Sequence, residues 1–439
     1  MGGPMKRLLP LFCALVFILT SCFHLRPADG TYTPPVETKA PVNTPVVVDP
    51  KPEETDEPFE PVGTSFASGE VLEPDGIIEG NEPIDPFAGV SIDFLAVGDN
   101  LIHANIWLDA AARAPEGVEF DFLPMYEHIA PYVEEADVAF INQETVMAGA
   151  QYGYTAYPTF NSPQQLGLDL VTLGFDIINV ASNHTLDKGE SGYRSMLDFW
   201  HTQPVTMIGG YYNKEDYENI RVTEVDGVKI AWLSYTYGTN GISLPANSTM
   251  FVPYYNDDQL IVDAIAKAEE IADVTIVSMH FGWEEYNPVP MTESVRLAQL
   301  IADNGAEVIL GHHSHCLQPI DWIEGKDGNK TLCIYSMGNI ACGQSRQITM
   351  VGGMFTFTIE SDGNGGLRVV DPLLTPTVNY YDWNWMNTKI YLLDQYTEEI
   401  AATHGLGNPS INGGGLSPDE AKKIVKNAID PQFLPGYLQ

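Results

Sequence analysis

The sequence predicts an α/β protein with a mixed sheet, or two stacked sheets, flanked by helices. Apolar runs of strand length recur from residue 91 onward, stretches of helical spacing lie between several of them, and glycine-containing turns add antiparallel hairpins. The first run, Ser91-Ile92-Asp93-Phe94-Leu95-Ala96-Val97, meets Gly98-Asp99 and marks the start of the globular part. Further strands are expected at Val138 to Ile141, Asp176 to Val180, Lys229 to Ser234, Val274 to Met279, Glu307 to Leu310 and Leu332 to Tyr335. A helix opens at Ser162-Pro163-Gln164, where a cap residue precedes a proline, and others fit Asp257 to Ile271 and Thr292 to Asp303. Asp226-Gly227, Lys326 to Asn329 and Asp362 to Gly365 read as hairpin turns. After about Thr375 the pattern weakens. Residues 376–439 are expected to form a helical extension, with helices near Tyr391 to Thr403 and Ser417 to Ala428.

Composition bounds the function. The chain has 439 residues, 44% of them apolar, enough for a large core. Its formal net charge of −38 excludes a nucleic-acid partner, which demands a basic surface. The same charge disfavours any polyanionic partner unless a cation or a local basic site intervenes.

The N-terminus reads as an export signal. Lys6 and Arg7 precede an apolar run from Leu8 to Leu19 that is short for a membrane span. It ends in Leu19-Thr20-Ser21-Cys22, which looks like the lipobox at which bacterial lipoproteins are cut and acylated. Residues 1–22 are therefore expected to be a lipoprotein signal with Cys22 lipidated, each buried acyl CH₂ contributing about 0.8 kcal/mol of membrane affinity. Only Cys316, Cys333 and Cys342 then remain besides the leader cysteines, too few for a disulfide scaffold. Residues 23–90 hold twelve prolines and fourteen acidic residues against three basic ones, the composition of a disordered tether. Part of it, such as Gly69 to Ile78, alternatively packs on the domain as an edge element. The expected location is the outer face of the bacterial cell membrane.

Residues able to bind metal cluster directly after the strand runs, where loops of an α/β sheet build sites. Asp99 and His103 follow the first strand, Asn142 and Glu144 the second, and Asn183, His184 and Asp187 the third. His280 closes a later strand, followed by Glu284, and Gly311-His312-His313-Ser314-His315 closes another. Six of the ten histidines sit in these loops, a concentration that isolated structural histidines do not produce. A His-x-His pair on an extended segment projects two imidazoles to one side, and carboxylates can bridge two cations about 3.5 to 4 Å apart. Nitrogen and oxygen donors without thiolate point to zinc, manganese or iron.

Gly98-Asp99, Asn142-x-Glu144, Asn183-His184-x-x-Asp187-x-Gly189, His280-x-Gly282-x-Glu284, Gly311-His312-His313-x-His315 and Tyr335-Ser336-x-Gly338-Asn339 together resemble the motif series of the CapA family. This is the capsule and poly-γ-glutamate synthesis branch of the calcineurin-like metallophosphoesterases. The resemblance spans about Ile92 to Leu373 and implies a four-layer α/β/β/α sandwich with two divalent ions. It implies Asp99 and His315 on the first ion, Glu144 where a bridging Asp stands, and Asn183, His280 and His313 on the second. His184 corresponds to the histidine that protonates the leaving group, with Asp187 orienting it. His103, Asn142, His312, Glu284 and Asn339 are further ligands or supports of ligands, and Tyr335 and Gly338 shape the site. Three departures stand out: the first loop lacks a tight Asp-x-His, Ser314 replaces an expected proline, and Ser182 replaces a usual second Asn.

Two functions compete. One is a cell-surface metal-dependent hydrolase acting on an envelope polymer or phosphoester. The other is a metal-dependent polymer-binding subunit of a membrane synthase or exporter, with an anionic partner such as poly-γ-glutamate bridged by cations. Lys188, Arg194, Arg296 and Arg346 offer further positive charge. A scaffold that has lost its chemistry is the third reading, and the complete ligand set opposes it.

Overall fold

A computed structural model of the chain describes residues 85–282, 287–411 and 413–439. The expected leader with Cys22, the tether up to residue 84 and Glu284 lie outside the described residues. Residues 85–90, expected as the end of a disordered tether, form a turn: Phe87 packs against the core and Val90 O accepts the amide of Ser361.

Two sheets carry the fold. In chain order the strands are β1 (Ser91–Leu101), β2 (Val138–Asn142), β3 (Ile177–Asn179), β4 (Thr206–Ile208), β5 (Arg221–Val225), β6 (Val228–Thr236) and β7 (Val274–His280). They continue with β8 (Val308–His312), β9 (Leu317–Glu324), β10 (Lys330–Met337), β11 (Asn339–Cys342), β12 (Val351–Ser361), β13 (Leu367–Tyr380) and β14 (Lys389–Leu392). The first sheet runs β14-β13-β12-β1-β2-β3-β4, with β11 pairing to the end of β1, and the second runs β5-β6-β7-β8-β10-β9. β1 to β4 are parallel, as are β6, β7, β8 and β10, while β12 to β14 and the edge strands β5 and β9 are antiparallel.

The side-chain alternation of each central strand divides it between two cores. Phe94 and Ala96 of β1, Phe140 of β2, Trp232 of β6, Leu310 of β8 and Phe357 of β12 share the core between the sheets. There Phe140 stacks on Trp232 across the gap, with ring centroids 6.3 Å apart. The intervening residues Leu95, Val97, Ile141 and Ile178 face helices Ala104–Arg113, Gln165–Leu173 and Gly189–Trp200. Leu233, Val277 and Ile309 of the second sheet face helices Asp258–Ile271 and Thr292–Ala302. Burial on both faces explains why these strands read as continuous apolar runs. The result is the expected four-layer α/β/β/α sandwich.

The C-terminal part departs from expectation. The boundary expected at 375 falls inside β13, and β14 extends the same sheet. Tyr391 and Leu392, expected to begin a helix, belong to strand Lys389–Leu392, because β13 offers a free edge that no local pattern announces. The helix there is confined to Glu398–Thr403, capped by Thr397. Helix Pro418–Ala428 carries a complete capping box from Ser417 and Glu420 and buries Ala421 and Val425 in the inter-sheet core.

Candidate metal centre

The candidate residues meet where the parallel strands of both sheets end. Asp99 lies at a register shift in β1, where pairing passes from β12 to β11, and its amide donates to Gly338 O at 2.9 Å. Gly98 permits that approach: a Cβ there would lie 2.0 Å from Gly338 O. Asn142 ends β2, His280 ends β7 and His312 ends β8.

After β8 the backbone turns sharply. His313 has φ 96° and His315 φ 57°, left-handed conformations that side chains rarely adopt and that cost roughly 1–3 kcal/mol each. This corrects the expectation of an extended segment. The turn aims the imidazoles of His313 and His315, with centroids 6.0 Å apart, at two neighbouring positions.

Two donor sets result, each with its ligand atoms within 4.8 Å of one another: Asp99, Glu144 and His315, and Glu144, His280 and His313. Glu144 belongs to both, with Oε2 3.8 Å from His315 Nδ1 and Oε1 3.9 Å from His280 Nε2. His315 Nδ1 has Asp99 Oδ2 at 3.0 Å and Asn339 Oδ1 at 3.1 Å, three oxygens around a nitrogen that carries at most one proton. His313 Nδ1 is buried without a hydrogen-bond partner. Buried carboxylates converging on imidazoles, with an orphaned ring nitrogen among them, fit divalent cations bound by nitrogen and oxygen. Asn183 Oδ1 lies 2.8 Å from His280 Nε2, and its amide nitrogen donates to Asn240 Oδ1, which turns the carbonyl oxygen inward.

A third grouping, Asp99, His280 and His312, has similar spacing. Its histidine is already committed: His312 Nδ1 lies 2.7 Å from His280 Nδ1, and His312 Nε2 lies 2.8 Å from Ser278 Oγ. One proton fits between the two Nδ1 atoms. With that proton on His280 and Nε2–H of His312 donating to Ser278, His280 keeps its Nε2 lone pair for a cation. His312 therefore holds the His280 ring in place.

The protonation preferences agree. Burial, reinforced by neighbouring imidazoles, holds His280 and His313 well below the usual histidine range, and burial brings His312 down to about 4. Burial alone acts to raise the carboxyl of Asp99, but the hydrogen bond from His315 and the adjacent histidines outweigh it and leave its pKa lowered.

Behind the donor sets runs a hydrogen-bond chain joining the two sheets. Ser234 Oγ donates to Asn179 Oδ1 at 2.5 Å, Asn179 Nδ2 to Asn142 Oδ1 at 2.7 Å, and Asn142 Nδ2 to Asp99 Oδ1 at 2.8 Å. Asn142 is thus a support of Asp99. Asn179, Ser234 and Ser278 escaped the sequence reasoning, although Asn179 ends β3 as Asn142 ends β2.

Beside the donor sets opens a cleft of about 600 Å³, lined among others by His103, Phe160, His184, Asp187, His315 and Arg346. His184 Nδ1–H donates to Asp187 Oδ2 at 2.7 Å, and Nε2 lies 4.0 Å from Glu144 Oε1. The same Asp187 oxygen accepts the amide of Phe160 at 2.6 Å, and the Phe160 ring packs edge-on against His184 at 4.7 Å. His103 stands apart from both donor sets. Its Nδ1 accepts the amide of Gly343 at 3.1 Å, its ring meets Phe160 at 5.3 Å, and burial lowers its pKa to about 4.

Residues 93–344 match the family described as bacterial capsule synthesis protein PGA_cap. The chain belongs to this family. Among PGA_cap relatives, the PGA biosynthesis protein CapA of Bacillus subtilis (strain 168) is 30% identical over 202 residues, covering 46% of this chain and 51% of that protein. The capsule biosynthesis protein CapA of Bacillus anthracis is 27% identical over 254 residues, covering 56% of this chain and 60% of that protein. The chain thus spans about half the length of the relatives it matches. A solved calcineurin-like phosphoesterase, YfkN from Bacillus subtilis, superposes with a TM-score of 0.40 at 13% identity, covering 77% of this chain and 96% of that one. The PGA_cap match encloses every donor named above up to Asn339.

Proposed function

We propose that the chain is a two-cation hydrolase of capsule or poly-γ-glutamate synthesis, acting on an envelope polymer or a phosphoester. One observation carries the reading: Glu144 stands between two buried donor sets, and the His184–Asp187 pair sits beside them in the same cleft. The first position draws on Asp99, Glu144 and His315, and the second on Glu144, Asn183, His280 and His313. Manganese, iron and zinc all suit these donors.

When bound, the cations supply Lewis acidity and charge neutralisation for attack of water on the scissile bond. The chain's own residues do the rest. His184 holds a proton at Nε2 for the leaving group, and Asp187 fixes the tautomer and stabilises the charged imidazole. Phe160 packs against that imidazole and restricts water around it. Arg346, on the cleft wall, offers a fixed positive charge to an anionic chain, and the cations resolve the conflict between such a chain and a protein of charge −38.

The names of the two CapA relatives support a role in poly-γ-glutamate or capsule synthesis. Among the described residues no helix is long and apolar enough to cross a membrane. The lipobox-like Leu19-Thr20-Ser21-Cys22 supports attachment through lipid at the extracytoplasmic face.

His184→Ala tests the hydrolase reading. Turnover of a phosphodiester or γ-glutamyl substrate should fall at least 100-fold while metal content stays at the parent value, general acid catalysis contributing about 10²–10⁴-fold. Unchanged polymer binding with no turnover in parent or variant would instead favour the binding subunit.

A further inference from the structure

The two cation positions are unequally supplied, and this inference rests on the two-cation reading above. The second has Glu144, Asn183, His280 and His313 around it. The first has three protein ligands, because Leu101 occupies the place where a tight Asp-x-His would put an imidazole, and His103 is turned to the amide of Gly343.

Asn339 fills the gap. It opens β11 directly after Gly338, whose φ of 67° makes the turn that brings β11 alongside the end of β1, with Asn339 paired to Asp99. Its amide nitrogen donates to Thr349 O at 3.0 Å and to Gln344 Oε1 at 3.0 Å, and lies 3.4 Å from His315 O. Backbone carbonyls only accept, so the NH₂ group must face them and the orientation of the amide is fixed. Oδ1 is thereby presented to the other side, 3.1 Å from His315 Nδ1, among Asp99 Oδ2 and Glu144 Oε2. A carbonyl oxygen held in this way beside two carboxylates and an imidazole is a ready cation ligand.

We propose that Asn339 Oδ1 is the fourth protein ligand of the first cation. That position then offers three oxygens and one imidazole, against two oxygens and two imidazoles at the second. Its chemistry suits a hard, oxygen-preferring divalent ion such as Mn²⁺. An amide from the neighbouring strand β11 stands where the first loop supplies no imidazole.

The test is Mn²⁺ titration of the chelator-treated full chain, followed by calorimetry and by the free-ion electron paramagnetic resonance signal, for the parent, Asn339→Leu and Asn339→Asp. The parent should take up two equivalents. Asn339→Leu, close in size but without the oxygen, should keep one equivalent at parental affinity and weaken the other at least tenfold. Should the leucine variant fail to fold, Asn339→Asp decides, because it keeps an oxygen donor, adds charge, and turns a second oxygen against the carbonyls of Thr349 and His315. Its melting temperature should rise more on adding Mn²⁺ than the parent's does. Two equivalents at parental affinity in Asn339→Leu, or no larger melting shift in Asn339→Asp, would overturn the assignment while leaving the two-cation reading intact. A parent that binds no ion would overturn both.

Discussion

Replacing Asp187 by Asn isolates the contribution of its charge to the proposed acid. Both donors that reach this side chain, His184 Nδ1 at 2.7 Å and the Phe160 amide at 2.6 Å, meet the same oxygen, Oδ2, while Oδ1 is buried without a hydrogen-bond partner. An asparagine can keep both bonds in one orientation only, with its carbonyl oxygen in the Oδ2 position and its NH₂ in the orphaned one. The buried, unsatisfied NH₂ should destabilise the protein by about 1–3 kcal/mol. The hydrogen bond to His184 persists but loses its charge assistance, a difference of roughly 1–1.5 kcal/mol felt when the imidazole is protonated. That corresponds to a turnover about tenfold lower, since each 1.36 kcal/mol of barrier is a factor of ten. The assay is steady-state hydrolysis of bis(4-nitrophenyl) phosphate at saturating metal, with metal content and thermal melting measured on the same preparation. The expected result is a tenfold drop in kcat, an unchanged KM, unchanged metal content and a lower melting temperature. Parental kcat with reduced stability would refute the reasoning, and reduce Asp187 to a brace for the Phe160 loop.

Other consequences follow from burial and close approach. Gly311→Ala should destabilise the protein by at least about 3 kcal/mol in chemical denaturation, because the new Cβ would lie 2.2 Å from Tyr335 O and 2.6 Å from Ile334 O, both backbone atoms unable to yield cheaply. Glu307, pushed up to about 8 by burial and by the nearby Glu269, binds its proton more tightly folded than unfolded. Its contribution is therefore intact below about pH 4.5 and lost as pH rises through 8, so Glu307→Gln should gain roughly 2 kcal/mol over the parent at pH 9 and nothing at pH 4, after discounting for partial exposure. His280, His312 and His313 are depressed, so the unfolded chain takes up protons first as pH falls below about 6.5. Denaturation of the metal-free protein at pH 7 and pH 5 should show stability falling by up to about 1.4 kcal/mol per pH unit for each of them, and a flat profile would contradict their neutrality.

Much of this was legible because the strands are buried on both faces. Runs such as Val274 to Met279 are apolar throughout, and the polar residue that follows each one stands out by contrast. The turn pairs Asp226-Gly227 and Asp362 to Gly365 join β5 to β6 and β12 to β13 as their chemistry demands. What escaped depends on register and on distant partners. His312, His313 and His315 are adjacent in sequence, and only the positive φ at His313 separates the histidine behind the site from those that face it. Asn179, Ser234 and Ser278 are single polar residues whose meaning arises when two sheets meet. Asn339 was visible as a motif residue, but its amide orientation depends on the carbonyl of Thr349, which sequence proximity does not position. Tyr391 and Leu392, at the start of the expected helix, are strand because their strand character comes from the edge of β13 and not from their own spacing.

Buried donors on both sheets are proposed to hold two divalent cations around Glu144. The most direct measurement is metal content per full chain by mass spectrometry after purification with manganese, iron and zinc present, beside a His280→Ala, His313→Ala double variant treated identically. Close to two ions are expected in the parent and a loss of about one in the variant, whose substitutions dismantle the second position and spare Asp99 and His315. A parent without bound metal, or a variant with an unchanged content, would contradict it.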